Sequence, residues 1–384
     1  MERFPPTSIG EHFATLTDPR AERGREHLLV DIVTIALCAV ICGADDWVAV
    51  ETFGREKAAW LRTFLRLQGG IPSHDTFGRV FARLDPEQFR RCFLAWVQAV
   101  VGDVGEQVVA VDGKTLRRSH DRAKGRGALH LVSAWASASG LVLGQQAVDG
   151  KSNEITAIPH LLKLLALKGA TVTIDAMGCQ TAIARQVVEQ EADYVLALKG
   201  NQASVHDRVR LAFADARRAA GTPLALAELD VATTLNKDHG RLERRRCWAL
   251  GDPDYLAYVD PEGAWPRLRS VVMVEAERRI ADTVATETRY FLSSLPPDAT
   301  ALARAIRSHW GIENRLHWVL DVVFHEDGSR VRTDHAPQNF AVLRHFALNL
   351  LRQETSSKAS LAKKRFRAAL NDAYLHTVLS GLDR

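Results

Sequence analysis

Hydrophobic positions change their rhythm near residue 105. From His27 to Cys42 the apolar residues run with little alternation, and Val48 to Leu67 and Pro86 to Val101 repeat at three-and-four spacing, with Phe89, Phe93, Trp96, Val97 and Val100 on one face. These patterns predict helices, and no strand signal interrupts them. Between the last two, Gly69-Gly70-Ile71-Pro72-Ser73 reads as a turn that opens a short helix at Ser73 or His74. That helix suits two roles: the second helix of a helix-turn-helix, offering His74, Thr76 and Arg79 to DNA, or a connecting helix packed by Phe77, Val80 and Phe81.

After Asp103 the pattern turns to strands at Gln107 to Val111, His130 to Ala136 and Leu141 to Val148, the last two joined by a hairpin turn over residues 137–140. A helix then opens with Ser152 or Asn153 as its N-cap and runs through Ile158, Leu161, Leu162 and Leu165. A strand (Ala170 to Ile174), a helix (Gln180 to Gln190) and a strand (Tyr194 to Leu198) follow. The order β-β-β-α-β-α-β predicts an α/β fold: a mixed sheet with helices on its faces, as in the ribonuclease H-like fold. From Asn201 to about Glu287 the pattern is less regular, with a helix near Val205 to Ala219 and short strands at Val271 to Glu275 and Arg289 to Leu292. This stretch reads as an insertion. Two long helices, Thr300 to Val323 and Ala336 to Leu351, precede a basic end. The expected division is a helical N-terminal region (1–105), a core in two pieces (106–200 and 288–350), an insertion (201–287) and a basic tail (351–384).

Composition changes this picture little. The 384 residues are 46% hydrophobic and 25% charged with a net charge of +4, which excludes a disordered or collagen-like chain. The longest uncharged apolar run, Ile32 to Ala44, is 13 residues against the ~20 that span a bilayer, so no membrane anchor is expected. The opening Met1-Glu2-Arg3-Phe4-Pro5-Pro6 lacks a following apolar segment, and a cytosolic location is the expectation. Five scattered cysteines form no C-x-x-C pair, and Cys38 and Cys42 read as buried helical neighbours. The charge is uneven: Lys114, Arg117, Arg118, Arg122, Lys124 and Arg126 face only Asp121; Arg241 to Arg246 holds four Arg and Glu243; Lys358 to Arg367 holds five basic residues and no acid. Such stretches suit a polyanion and equally suit ordinary solvated faces.

Three acids interrupt apolar patterns. Asp112 ends Val108-Val109-Ala110-Val111, Asp175 ends Val172-Thr173-Ile174, and Glu313 lies on the stripe Ile306, Leu316, Leu320, Val323. An ionised carboxylate among apolar neighbours costs several kcal/mol, on the order of any partly buried ion, unless it is paired or metal-bound. A shared divalent cation such as Mg²⁺, with its preference for oxygen ligands, would satisfy all three. Each also has a plainer reading: strand-end caps for the two Asp, and pairing with Arg307 or Arg315 or helical contact with His309 and His317 for Glu313. His309, Glu313 and His317 share ligand types with zinc sites, but no Cys supplies a fourth partner. Glu326 and Asp327 form a rival third carboxylate in a Gly-flanked loop where solvent exposure is expected.

The strings Ala110-Val111-Asp112-Gly113-Lys114, Thr173-Ile174-Asp175-Ala176-Met177, Leu198-Lys199-Gly200-Asn201-Gln202 and His309-Trp310-Gly311-Ile312-Glu313-Asn314, in that order, resemble the DDE transposases of bacterial insertion sequences, specifically the H-repeat-associated subgroup. The resemblance covers nearly the whole chain. It implies Asp112, Asp175 and Glu313 as the catalytic, metal-binding triad, with Mg²⁺ or Mn²⁺ as cofactor. It also implies double-stranded DNA as partner, dimerisation on that DNA, and nucleoid association in a bacterial cytoplasm. Lys114, Arg117, Arg118, Lys199, Asn201, His309, Arg315, Lys363, Lys364 and Arg365 are the expected DNA contacts. Related transposases often place a Tyr and an Arg before this Glu and a Lys after it, where this chain has Ile306, His309 and Leu320. The rival functions are a nuclease of the same fold that never joins strands, and a catalytically silent DNA-binding descendant.

Overall fold

The computed structural model describes residues 11–121, 124–148, 153–219, 229–238, 241–280 and 283–383. Arg122 and Ser152, named above as a basic residue and an alternative cap, lie outside them.

The N-terminal region is helical: α1 (Leu29–Cys42), α2 (Trp47–Glu56), α3 (His74–Arg83) and α4 (Pro86–Val101). Helix α1 is buried from Asp31 to Ile41, which explains its lack of alternation. No single helix among the described residues is long and apolar enough to cross a membrane; α1 and α2 pass such a test only together, and they meet at a 96° bend. Ser73 caps α3 by accepting from the Thr76 amide. Phe77, Val80 and Phe81 are buried, and both the His74 amide and ring are bound to Glu51. Phe77, Val80 and Phe81 thus form the packed face of α3, while His74, held by Glu51, and Arg79 are exposed.

Among the described residues, nine strands form one sheet in the order β3-β2-β1-β4-β5-β9-β8-β7-β6. Strands β1 (Val108–Leu116), β2 (Leu129–Ala136) and β3 (Leu141–Val148) are antiparallel; β4 (Thr171–Ile174) lies parallel to β1, and β5 (Asp193–Leu198) parallel to β4. Helices α5 (Glu154–Leu162) and α6 (Thr181–Glu189) make the crossovers, and α7 (Ala203–Ala219) follows β5. This is the mixed, helix-flanked sheet that the strand order predicted. Strands β6 (Asp230–Asp238) and β7 (Arg241–Leu250), helix α8 (Pro253–Val259), and strands β8 (Ser270–Ile280) and β9 (Thr283–Ser293) then continue the sheet as an antiparallel meander, with Leu196 of β5 opposite Leu292 of β9. The expected insertion boundary at 287 and 288 thus falls inside a strand that is hydrogen-bonded to the core.

Past β9 come α9 (Ala299–His309), a wide π-type turn (Ile312–His317), α10 (Trp318–Val322), α11 (Ala336–Gln353), α12 (Leu361–Leu370) and α13 (Asp372–Leu379). Helix α11 is buried nearly throughout and packs against α1, α3, α4 and β3, so the N-terminal helices and the sheet share one hydrophobic core. Asn339 ties α11 to the carbonyls of Phe81 and Leu84, and Asn349 exchanges two hydrogen bonds with the Val142 backbone.

The basic end is not an extended arm. In α12 the buried face carries Lys364, Arg365 and Ala368, while Phe366 is 67% exposed. Lys364 Nζ donates to the carbonyls of Leu351 and Glu354. Arg365 donates to the carbonyls of Val40 and Val323, and its guanidinium stacks 4.2 Å from the Phe324 ring centroid. These two cations, expected to meet DNA, instead fasten α12 within the fold, Lys364 to the end of α11 and Arg365 to α1 and the end of α10. Lys363 alone of that trio is exposed.

Candidate catalytic metal centre

Asp112 sits inside β1, opposite Ser133 of β2, rather than at a strand end. Its predecessor Val111 pairs with Ile174 of β4, so Asp112 and Asp175 leave adjacent parallel strands side by side. Gly113 follows because the other face of the sheet is occupied: a β-carbon there would stand 2.6 Å from His130 Nε2 and closer still to Glu154, two side chains joined to each other by a 2.6 Å hydrogen bond. Asp175 turns into the next loop, its Oδ1 accepting from the amides of Met177 (3.0 Å) and Gly178 (3.4 Å). Asn201 braces that loop by donating to the Ala176 carbonyl at 2.6 Å.

Glu313 and His317 come from the wide turn. The expected single helix from 300 to 323 is interrupted there, and such widened turns are frequent at functional sites. Glu313 is half exposed, whereas His317 is buried, and its Nδ1 lies 3.6 Å from Glu313 Oε2 and 3.7 Å from Asp112 Oδ2. One ligand atom from each of Asp112, Glu313 and His317 falls within 4.8 Å of the others. Sequence reasoning weighed His317 only as a helical neighbour of Glu313 and as a zinc-type residue; its i+4 spacing was the available signal, and the missing third donor was Asp112, distant in sequence.

The electrostatics fit a cation. Burial pushes the Asp112 carboxyl up to about 7; the His317 imidazole pulls the other way, and Glu313 and Asp175 add smaller repulsions. Glu313 is held below its ordinary range, chiefly by the His317 imidazole. Two acids forced into one partly buried space, beside an imidazole whose Nε2 finds no partner among the described residues, form a donor set that a divalent ion would satisfy.

Other expected contacts divide. Lys114 is no free phosphate contact: its ammonium lies 2.6 Å from Asp321, 3.1 Å from Glu326 and 3.2 Å from Asp327. Burial alone would lower it, but Glu326 and Asp321 outweigh that and hold it charged. Glu326, expected in solvent, is 2% exposed and also faces Arg344 at 3.6 Å. His309 is bound through Nδ1 to Thr173 Oγ1 at 3.0 Å, and burial lowers its pKa, so it is a neutral packing group rather than a cation. Arg117, Arg118, Lys199, Asn201 and Arg315 are exposed around the site, Arg117 with its Nε 3.3 Å from Asp327. A groove of about 950 Å³ runs between the meander and α9, lined by Arg245, Arg278, Arg289, Arg304 and Arg307 together with Glu243 and Glu287, which pair with Arg245 and Arg289. Sequence reading did not single out this groove, because its arginines come from four separate elements.

With that geometry established, comparison with known proteins identifies the class. The family model described as "Transposase DDE domain" matches residues 103–350, and "DDE_Tnp_1-associated" matches residues 10–97. The chain belongs to the DDE transposase family. It is 39% identical over 375 residues to "H repeat-associated putative transposase YhhI" of Escherichia coli K12, covering 97% of each chain. It is 50% identical over 289 residues to "Uncharacterized protein in dhlA 3'region" of Xanthobacter autotrophicus, covering 74% of this chain and 94% of that protein. A 73-residue stretch, 19% of this chain, is 37% identical to "Inactive transposase YbfQ" of Escherichia coli K12 and covers 87% of it. Membership in the family implies DNA as partner and divalent-metal use.

Proposed function

We propose that this protein cuts DNA at the ends of a mobile element and joins the freed 3′-hydroxyl to target DNA, using Asp112, Asp175 and Glu313 to hold Mg²⁺, with Mn²⁺ as a substitute. The observation that carries this reading is the convergence of Asp112 and Glu313, with Asp175 beside them on the neighbouring strand, from three separate parts of the chain. A bound divalent ion supplies charge neutralisation at the scissile phosphate and an activated oxygen nucleophile.

The protein's own residues do the rest. Strand β2 pairs with Asp112 and β4 with the preceding Val111, and the amides of Met177 and Gly178 orient Asp175 so that its second oxygen remains for the ion. The arginine groove and the exposed Arg117, Arg118, Lys199 and Arg315 neutralise the DNA backbone and set its register; specificity for the element's ends must come from contacts to base edges. No covalent enzyme intermediate is required, because positioning and charge neutralisation supply most of the catalysis. Assembly as a homodimer on DNA would bring two ends together. The test uses DNA carrying the inverted repeats that flank the coding region. Wild type should nick it only with Mg²⁺ or Mn²⁺, and Asp112→Ala, Asp175→Ala and Glu313→Ala should bind the ends but not cut. Full cleavage by any of the three would overturn the assignment.

A further inference from the structure

His317 is a buried imidazole whose Nδ1 faces both Asp112 and Glu313. Its side chain is 6% exposed, and its Nδ1 stands 3.6 and 3.7 Å from Glu313 and Asp112, beyond the usual 2.7–3.2 Å of an N–H···O hydrogen bond. Its Nε2 is buried without a partner among the described residues. Leaving the buried Nδ1 without a well-made bond costs about 1–3 kcal/mol, so this nitrogen, facing both carboxylates, calls for a shared ligand. Two donors on one ion with bonds of about 2.1 Å stand between about 3 and 4.2 Å apart, and both observed separations fall in that window.

The alternatives on the same elements are already engaged. His309, two turns earlier, gives its Nδ1 to Thr173. One oxygen of Asp175 is committed to the Met177 and Gly178 amides, and Asp175 lies outside the 4.8 Å cluster that contains His317. The wide turn keeps Glu313 and His317 on one face, directed at Asp112 across the sheet.

We propose that His317 ligates, through Nδ1, the divalent ion shared by Asp112 and Glu313. This position is then a mixed nitrogen and oxygen site that favours Mn²⁺ and similar first-row ions over Mg²⁺. The inference rests on the metal-dependent reading of the site and adds a donor to it. Mg²⁺ takes oxygen ligands almost exclusively, whereas Mn²⁺ and the later first-row ions accept imidazole, so the nitrogen sets the preference.

Electron spin-echo spectroscopy of Mn²⁺ added to the full-length protein reads the bond directly, without DNA or turnover. The wild type should show nitrogen modulation that changes isotope pattern when histidine is ¹⁵N-labelled, a result that depends on no variant. The modulation should persist in His309→Gln and vanish in His317→Gln while Mn²⁺ stays bound. The ratio of Mn²⁺ to Mg²⁺ affinity should fall about tenfold or more in His317→Gln. Bound Mn²⁺ without nitrogen modulation in wild type, or modulation that survives His317→Gln, would overturn the ligand assignment and leave the carboxylate site standing. No Mn²⁺ binding by wild type would overturn both.

Discussion

Replacing Asp112 by Asn should make the metal-free protein more stable. The carboxyl is raised from its ordinary 3.8 to about 7, so the folded state pays for ionising it as pH rises through that window, and pays in full above it. At pH 8 that cost is about 4 kcal/mol, and the opposite shift of Glu313 offsets part of it. The Asn amide keeps a donor toward Glu313 and brings no charge. For 384 residues an unfolding entropy of about 0.8 kcal/mol/K converts the gain into at most about 5 °C. Calorimetry in EDTA should show that increase for Asp112→Asn at pH 8 and almost none at pH 4, where the wild-type carboxyl is protonated in the fold. With saturating Mn²⁺ the order should reverse, because the ion binds the native wild-type site more tightly. An Asp112→Asn protein less stable than wild type in EDTA at pH 8 would refute the claim that the acids crowd one another.

Other consequences follow from the buried charges. Lys114→Met removes the cation shared by Asp321, Glu326 and Asp327, leaving Glu326 to Arg344 and Asp327 to Arg117, and should cost about 3–5 kcal/mol in denaturant unfolding; a neutral outcome would refute a structural role for the buried ammonium. Arg365→Met removes the guanidinium from the Val40 and Val323 carbonyls and from the Phe324 ring and should cost about 2–4 kcal/mol while changing DNA affinity little. A large affinity loss with unchanged stability would restore Arg365 as a DNA contact. Glu354 is held down to about 2: burial would raise it, but hydrogen bonds from Ser356 and Tyr374 and the charge of Lys364 prevail. Its stabilisation is complete above pH ~5 and drains away between pH ~4.5 and ~2, so Glu354→Gln should flatten the acid limb of a melting curve that wild type shows.

How far the sequence can be read depends on what each residue packs against. Strands β2 to β5 were legible from their apolar runs, Leu141–Val148 residue for residue, whereas β1 was expected to stop at Val111 and continues to Leu116 through Asp112, Lys114 and Thr115. Strands β6 and β7 were not, since DVATTLNKD and RLERRRCWAL place charges where β7 lines a basic groove and β6 forms the sheet edge. Asp112 and Glu313 stood out as acids in apolar patterns, which is how a functional carboxylate conflicts with its local context. His317 did not, because an imidazole on an apolar stripe looks like core until β1 is brought against it. The Lys363 to Arg365 run misled for the reverse reason: tertiary packing buried two of the cations and exposed Phe366. Local charge density carries no information about which face of α12 meets α1.

Strand transfer from pre-cut ends tests the central claim most directly. Duplexes ending in a free 3′-hydroxyl at the element boundary, mixed with protein, Mg²⁺ or Mn²⁺ and a supercoiled plasmid, should yield covalently joined products with wild type and none with Asp112→Ala, Asp175→Ala or Glu313→Ala. A wild type that nicks DNA but never joins these ends, or binds them without metal-dependent chemistry, would contradict the account.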